Sequence, residues 1–173
     1  YNDIFLIFCL SCKVLVQNET CLCIKNSLVD YTIKCNSYNI VDLKNNYTLK
    51  EINIYLENFN KLNIYLDFSS SNLKFIHQNV FKELYSLKEI NLYKNDLIYL
   101  PKYLFKDLIY LEYLVLTENR LEIIENQTFI GLKKLIELHL DRNLIRKIES
   151  NGFIDLKNLE ALFLNNNSLS EMN

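Results

Sequence analysis

With 173 residues, 19 basic and 21 acidic side chains and a formal charge of −2, the chain is long enough for one sizeable domain, and it has no field strong enough to imply a nucleic acid or an anionic membrane surface as partner. Two Gly and one Pro leave few tight hairpin turns, which argues against an all-β sandwich or barrel. No stretch approaches the ~20 apolar residues of a membrane-spanning helix, so a membrane is expected only through a segment outside this sequence.

In chain order, Ile4 to Leu10 is a short apolar run, and Cys9 and Ser11 at its end have the small-residue spacing of a signal-peptidase site. Residues 1–11 are therefore expected to be the remnant of a secretory signal, the other reading being an apolar N-terminal strand. Cys12, Cys21, Cys23 and Cys35 then form an even-numbered cluster in residues 12–48, where disulfides can staple a small cap in an oxidising compartment. Zinc is the rival for such a cluster, but Cys21-Leu22-Cys23 has no nearby His, and no metal is expected. Ile33, Cys35, Ile40 and Leu43 have the spacing of core positions in the units that follow, so the cap is expected to supply the first strand. Residues 49–62 break that spacing and are expected to form an irregular unit or a hairpin.

From residue 63 the pattern repeats every 24 residues, in units 63–86, 87–110, 111–134, 135–158 and an incomplete 159–173. Position 4 holds Leu66, Ile90, Leu114, Leu138 and Leu162, and position 6 holds Phe68, Leu92, Leu116, Leu140 and Leu164. Position 9 is Asn95, Asn119, Asn143 and Asn167, with Ser71 in the first unit. Position 11 is Leu or Ile throughout, position 19 is Phe81, Phe105, Phe129 and Phe153, and position 22 is Leu84, Leu108, Leu132 and Leu156. A repeat of this kind buries its apolar side only by stacking on its neighbours. Positions 4 and 6 alternate and point inward from a short strand, and strands of successive units run parallel with the bulkier Phe limb opposite, so the sheet is expected on the inside of a curve. The position-9 amides form a structural ladder, each expected to bond the turn backbone of its own unit and the next. The last unit leaves Leu162, Leu164 and Leu169 uncovered, and the sequence is expected to be a fragment at both ends.

These positions resemble the extracellular leucine-rich-repeat family over residues 63–173. The resemblance implies an α/β solenoid, a right-handed horseshoe with parallel strands on the concave face and irregular or short helical turns on the convex face. It also implies a cysteine-rich N-terminal cap with Cys12 paired to Cys23 and Cys21 to Cys35, although the family places its first two cysteines four apart and here they are nine apart. For function it implies a non-enzymatic, extracellular recognition module that binds a protein ligand through the concave face, as a receptor ectodomain or a secreted innate-immune protein. A structural or adhesive matrix protein is the alternative.

Little in the sequence suggests catalysis or a cofactor. Gly131 and Gly152 cannot make a phosphate-cradling loop, and His77 and His139 form no HExxH motif. His139 between Glu137 and Asp141 is expected to be an exposed residue of a binding surface, since a shallow open sheet offers no pocket. Outward positions 3, 5 and 7 give a candidate surface of Tyr65, Asp67, Glu89, Asn91, Tyr93, Tyr113, Val115, Glu137, His139, Asp141 and Phe163. Four acids and no base stand there, which favours a partner presenting basic and aromatic groups. Asn-x-Ser/Thr sequons mark Asn18, Asn46, Asn126 and Asn166 as glycosylation candidates, Asn126 on the outer limb and Asn166 beside the concave face.

Overall fold

A computed structural model of the chain describes residues 63–172 continuously, with side chains from Ile64 to Ser170. Ahead of them it describes the backbone of Leu15–Val16 (β1), Glu19–Thr20 (β2), Leu22–Lys25 (β3), Asp30–Lys34 (β4) and Asp42–Leu43 (β5). The first unit contributes Asn63–Asp67 (β6) and Phe75–Ile76 (β7), and the second Leu87–Asn91 (β8). Tyr113–Val115 (β9), Ile123–Ile124 (β10), Glu137–His139 (β11), Lys147–Ile148 (β12), Ala161–Phe163 (β13) and Glu171–Met172 (β14) follow.

One seven-stranded sheet runs in the order β13-β11-β9-β8-β6-β4-β3, parallel except for the antiparallel pair β3 and β4. From β6 onward its register advances one repeat per strand, so Tyr65, Glu89, Tyr113, Glu137 and Ala161 stand side by side. β4 and β5 enter the same register. Ile33 pairs with Leu66 and Leu43 with Ile76, so these two residues take positions 4 and 14. That step is 33 residues, nine longer than the repeat, and the sheet passes directly from β4 to β6. Residues 49–62, together with Cys35 and Ile40, lie outside the described residues.

The interior is the one the 24-residue pattern specifies. Leu66, Ile90, Leu114 and Leu138 at position 4 are 0–1% exposed, as are Phe68, Leu92, Leu116 and Leu140 at position 6. Phe81, Phe105, Phe129 and Phe153 form a continuous stack with ring centroids 5.8–6.1 Å apart and planes within 10–14°. Such pairs add to the area they bury, since offset rings at this separation attract. At the last unit Leu162 is 39% exposed, whereas Leu114 and Leu138 have a strand on each side.

Of the irregular or short helical turns expected on the outer limb, the irregular form is found: among the described residues there are no helices. Turns such as Val80 N–H to His77 C=O, Leu104 to Pro101 and Thr128 to Glu125 begin there. Left-handed residues at position 17 (Tyr103, Gln127 and Asn151) or position 21 (Glu83 and Gly131) then interrupt each unit, and a helix cannot continue through that conformation. A short second ladder is found instead, as β5-β7 and as β10-β12-β14. Its break falls in the unit of Pro101. At the equivalent position Glu149 N–H donates to Ile124 C=O at 2.9 Å, a bond that proline, without an N–H, cannot make to Ile76.

The turn after each of β6, β8, β9, β11 and β13 is also left-handed, at Ser70, Lys94, Glu118, Arg142 and Asn166 (φ 53–55°). The position-9 amide satisfies the backbone around it. Asn119 Nδ2 donates to Leu116 C=O of its own unit (3.0 Å) and Leu92 C=O of the preceding one (2.9 Å), and its Oδ1 accepts from Leu97 N–H (3.1 Å). The ladder therefore reaches back to the preceding unit, and not forward to the next as the sequence reading expected. In the first unit Ser71 is fully buried, and its N–H is held by Asn95 Oδ1 at 3.0 Å.

Two substitutions test this construction by chemical denaturation. Asn119→Leu orphans the buried Leu97 N–H, while Leu116 C=O keeps its bond from Asn143 and Leu92 C=O its bond from Asn95. The loss should be about 1–3 kcal/mol. Gly131→Ala places a Cβ 2.3 Å from Lys106 O at φ +91°, and should cost at least as much, about 1–3 kcal/mol from strain alone. Unchanged midpoints in both variants would contradict the assigned roles.

Candidate functional site

Positions 3, 5 and 7 lie between inward positions 4 and 6, so strand alternation alone sends them to the open face of the large sheet. The register places Tyr65, Glu89, Tyr113 and Glu137 in one row and Asp67, Asn91, Val115, His139 and Phe163 in the next. Tyr93, Thr117 and Asp141 flank them. All eleven candidates come together on this face, each partly exposed except Phe163, which is 39% exposed.

Their chemistry differs more than their placement. Asp67 Oδ1 accepts Ser69 N–H at 2.9 Å and Asn91 Oδ1 accepts Tyr93 N–H at 3.0 Å, so these two position-5 side chains cap their own strand ends. Asp141 Oδ1 accepts the Thr117 hydroxyl at 2.8 Å. His139 Nε2 lies 3.0 Å from Glu137 Oε2, and its ring stacks on Phe163 with centroids 4.3 Å apart. Glu89 makes neither hydrogen bond nor ion pair among the described residues. Burial, with Asp67 beside it adding like charge, pushes its carboxyl above the usual glutamate range, while His139 acts weakly the other way. At the margin Arg142 is held by Glu118 at 2.7 Å, so its charge is already neutralised.

The remaining predicted residues are placed unevenly. Asn95, Asn119 and Asn143 are buried and Asn167 is half-buried, all bonded as described. Asn166 is exposed beside the sheet face. The Asn126 backbone N–H is held by Glu149 Oε2 (3.0 Å) while its Oδ1 is buried without a partner, and the sequon's Thr128 is 1% exposed with its hydroxyl on Glu125 C=O. Asn18, Asn46, Cys12, Cys21 and Cys35 lie outside the described residues, and of Cys23 only the backbone is described, in β3 opposite Ile33. Among the described residues no group of three or more His, Cys, Asp or Glu could hold a metal ion.

One apolar flank was missed from sequence. Phe75, Ile98, Tyr99 and Tyr103 are 37–49% exposed around the break in the second ladder, with Phe75 and Tyr99 rings 6.1 Å apart. Aromatic residues at position 13 of two successive units were the available signal. On the opposite flank an open cleft of about 510 Å³ is lined by Glu112, Lys134, Ile136, Lys157, Asn158, Leu159 and Glu160.

A family model described as leucine rich repeat matches residues 86–145 and 109–169. The crystal structure of a TLR13–ssRNA13 complex is similar at a TM-score of 0.61 and 33% identity, covering 67% of this chain and 16% of that one. Two structures of the Toll–Spatzle complex of Drosophila, one glycosylated, are similar at TM-scores of 0.60 and 0.59 and identities of 26% and 28%, covering 65% and 64% of this chain and 14% of each of theirs. The chain thus spans less than a fifth of the length of these proteins. No curated protein matches it. The expectation of no nucleic-acid partner finds no support here, since one of these similar structures is a complex with single-stranded RNA.

Glu89 also sets a pH test. A carboxyl whose folded pKa lies above its unfolded value penalises the fold once it is ionised, and the penalty vanishes below the unfolded pKa. Glu89→Gln should therefore raise the melting temperature at neutral pH, and the difference should close as the pH falls below the ordinary glutamate range. A variant less stable than the parent at pH 7 would show that the carboxylate has a stabilising partner.

Proposed function

Over residues 86–169 the chain belongs to the leucine-rich-repeat family, and from that premise we propose that it is an extracellular recognition module binding a protein ligand through the open face of its large sheet. The observation that supports this most directly is the state of that face. The core is closed from inside by the asparagine amides and the Phe stack, so none of Tyr93, Tyr113 or Glu89 is needed to hold the repeats together. They stand partly exposed on a rigid sheet, and rigid scaffolds with exposed rings make effective interfaces, because little side-chain entropy is lost on binding.

Charge narrows the ligand. Asp67, Glu89, Glu137 and Asp141 occupy the face, and positions 3, 5 and 7 hold no Lys or Arg. Of the two cations at position 8 on the margin, Arg142 is paired with Glu118 and Lys94 is exposed, so the acids hold the centre of the face and favour a ligand with basic and aromatic groups. The likeness to Toll, solved in complex with Spatzle, supports a protein as the ligand class. An extracellular or cell-surface location, the removal of residues 1–11, oxidation of Cys12, Cys21, Cys23 and Cys35, and glycans at the sequons all belong to the same proposal. No reaction is proposed.

The proposal is tested on a captured partner. Tyr93→Ala and Tyr113→Ala should each weaken binding by about 2 kcal/mol where the ring is an anchor, whereas the exposed Lys133→Ala should leave affinity within about 0.5 kcal/mol of the parent. Equal effects of the two sets in surface-plasmon titrations would move the binding site off the sheet face.

A further inference from the structure

Two glutamates on the sheet face stand on strands whose backbone spacing matches one kind of peptide backbone. We infer that the row Tyr65, Glu89, Tyr113, Glu137 reads an extended polyproline-II segment of the partner carrying Arg or Lys at residues i and i+3. This rests on the sheet-face reading above and specifies the ligand's form.

The register makes the row continuous, with Tyr65 against Glu89, Glu89 against Tyr113 and Tyr113 against Glu137. Parallel strands lie about 4.8 Å apart, so the two glutamates, two strands apart, stand about 9.6 Å apart, with a tyrosine between them. A polyproline-II segment rises about 3.1 Å per residue with three residues per turn, so side chains at i and i+3 leave one face about 9.3 Å apart. A β-strand does not fit: i and i+2 share a face at only about 6.8 Å, and i and i+3 point to opposite faces. The nearest same-face step of a helix, i to i+7, is about 10.5 Å, so an α-helix spans the row less well.

The two subsites are unequal. Glu89 has no hydrogen-bond or ion-pair partner among the described residues and is half-buried, with burial and Asp67 raising its carboxyl above the usual range, so an incoming cation favours the charged form and supplies the missing hydrogen bonds. Arg suits the site better than Lys, because its planar guanidinium bonds a carboxylate in two places and stacks on tyrosine rings of the kind standing on either side. Glu137 already lies 3.0 Å from His139 Nε2 and forms the weaker second subsite. Asp67 and Asp141, bonded to Ser69 N–H and the Thr117 hydroxyl, sit outside the row.

The probes are proline-rich peptides with two arginines, spaced i,i+3 or i,i+2 at identical composition, and a helix-stapled peptide with arginines at i,i+7, titrated calorimetrically into the full chain at low salt. The i,i+3 peptide should bind about fivefold tighter than the i,i+2 peptide, the scale of one partly buried ion pair. Glu89→Gln should abolish that preference, and Glu137→Gln should reduce it. Equal affinity for the two proline-rich peptides, still sensitive to Glu89→Gln, would overturn the spacing rule while leaving an acidic binding face. Stronger binding by the helical peptide would overturn the backbone form, and binding indifferent to both substitutions would remove peptide recognition from this row altogether. If no peptide binds, the inference falls, and the broader reading is decided separately by the tyrosine variants against the captured partner.

Discussion

The side-chain amide of the position-9 asparagine joins pieces of backbone that no regular ladder connects, and the rest of the solenoid depends on it. Asn95 donates to Leu92 C=O of its own unit and Phe68 C=O of the one before, and accepts from Ser71 and Leu73 N–H. The carbonyls are shared in turn: Leu92 C=O receives Asn95 at 3.0 Å and Asn119 at 2.9 Å, and Leu116 C=O receives Asn119 and Asn143. Asn95, Asn119 and Asn143 are buried, and a backbone group left without a partner there would cost about 1–3 kcal/mol. The chain can leave a strand abruptly, through a left-handed residue, because the next residue supplies the missing hydrogen bonds. Each unit is completed by its neighbour, which makes the stack a one-dimensional array of coupled units.

Because the amides and the Phe stack close the core, the side chains of the sheet face are free of structural duty to differing degrees. Asp67 and Asn91 still cap their strand ends, but at the same position Val115, His139 and Phe163 do not. Charged pairs one repeat apart neutralise the margins, as in Arg120 with Asp96, Arg142 with Glu118 and Arg146 with Glu122. Exposed pairs of this kind add at most about 1 kcal/mol each, so their larger effect is on the field. They offset the charge of three arginines beside the face, where Lys94 is an exposed cation without an ion pair among the described residues.

The stack is not uniform along its length. The large sheet is continuous from β3 to β13, whereas the outer ladder is divided where Pro101 withholds a donor. The exposed Phe75, Ile98, Tyr99 and Tyr103 gather around that division. The inner ladder and the asparagines thus hold the units together across a place where the outer limb has no paired strands and is joined by single bonds, such as Glu83 N–H to Asp107 Oδ2 (2.9 Å) and Tyr103 N–H to Gln127 C=O (3.4 Å).

The 24-residue period by itself determined which residues are inside. Position 4 must face the core when position 5 faces water, and Leu66, Ile90, Leu114 and Leu138 obey this because strand geometry allows nothing else. The parallel order of the strands, the Phe stack and the membership of the open face were legible for the same reason. Tertiary structure decided what depends on which groups the fold brings within reach, near or far in sequence. β4 pairs with β6 across 33 residues, a step that the 24-residue spacing does not give. The outer limb is not helical, since left-handed residues such as Tyr103 and Gly131 are held there by the neighbouring unit. Four face carboxylates look alike in the sequence, yet Asp67 is spent on Ser69, Asp141 on Thr117 and Glu137 on His139. Only Glu89 is left free, because a carboxylate's availability depends on which donors the fold brings within hydrogen-bond reach.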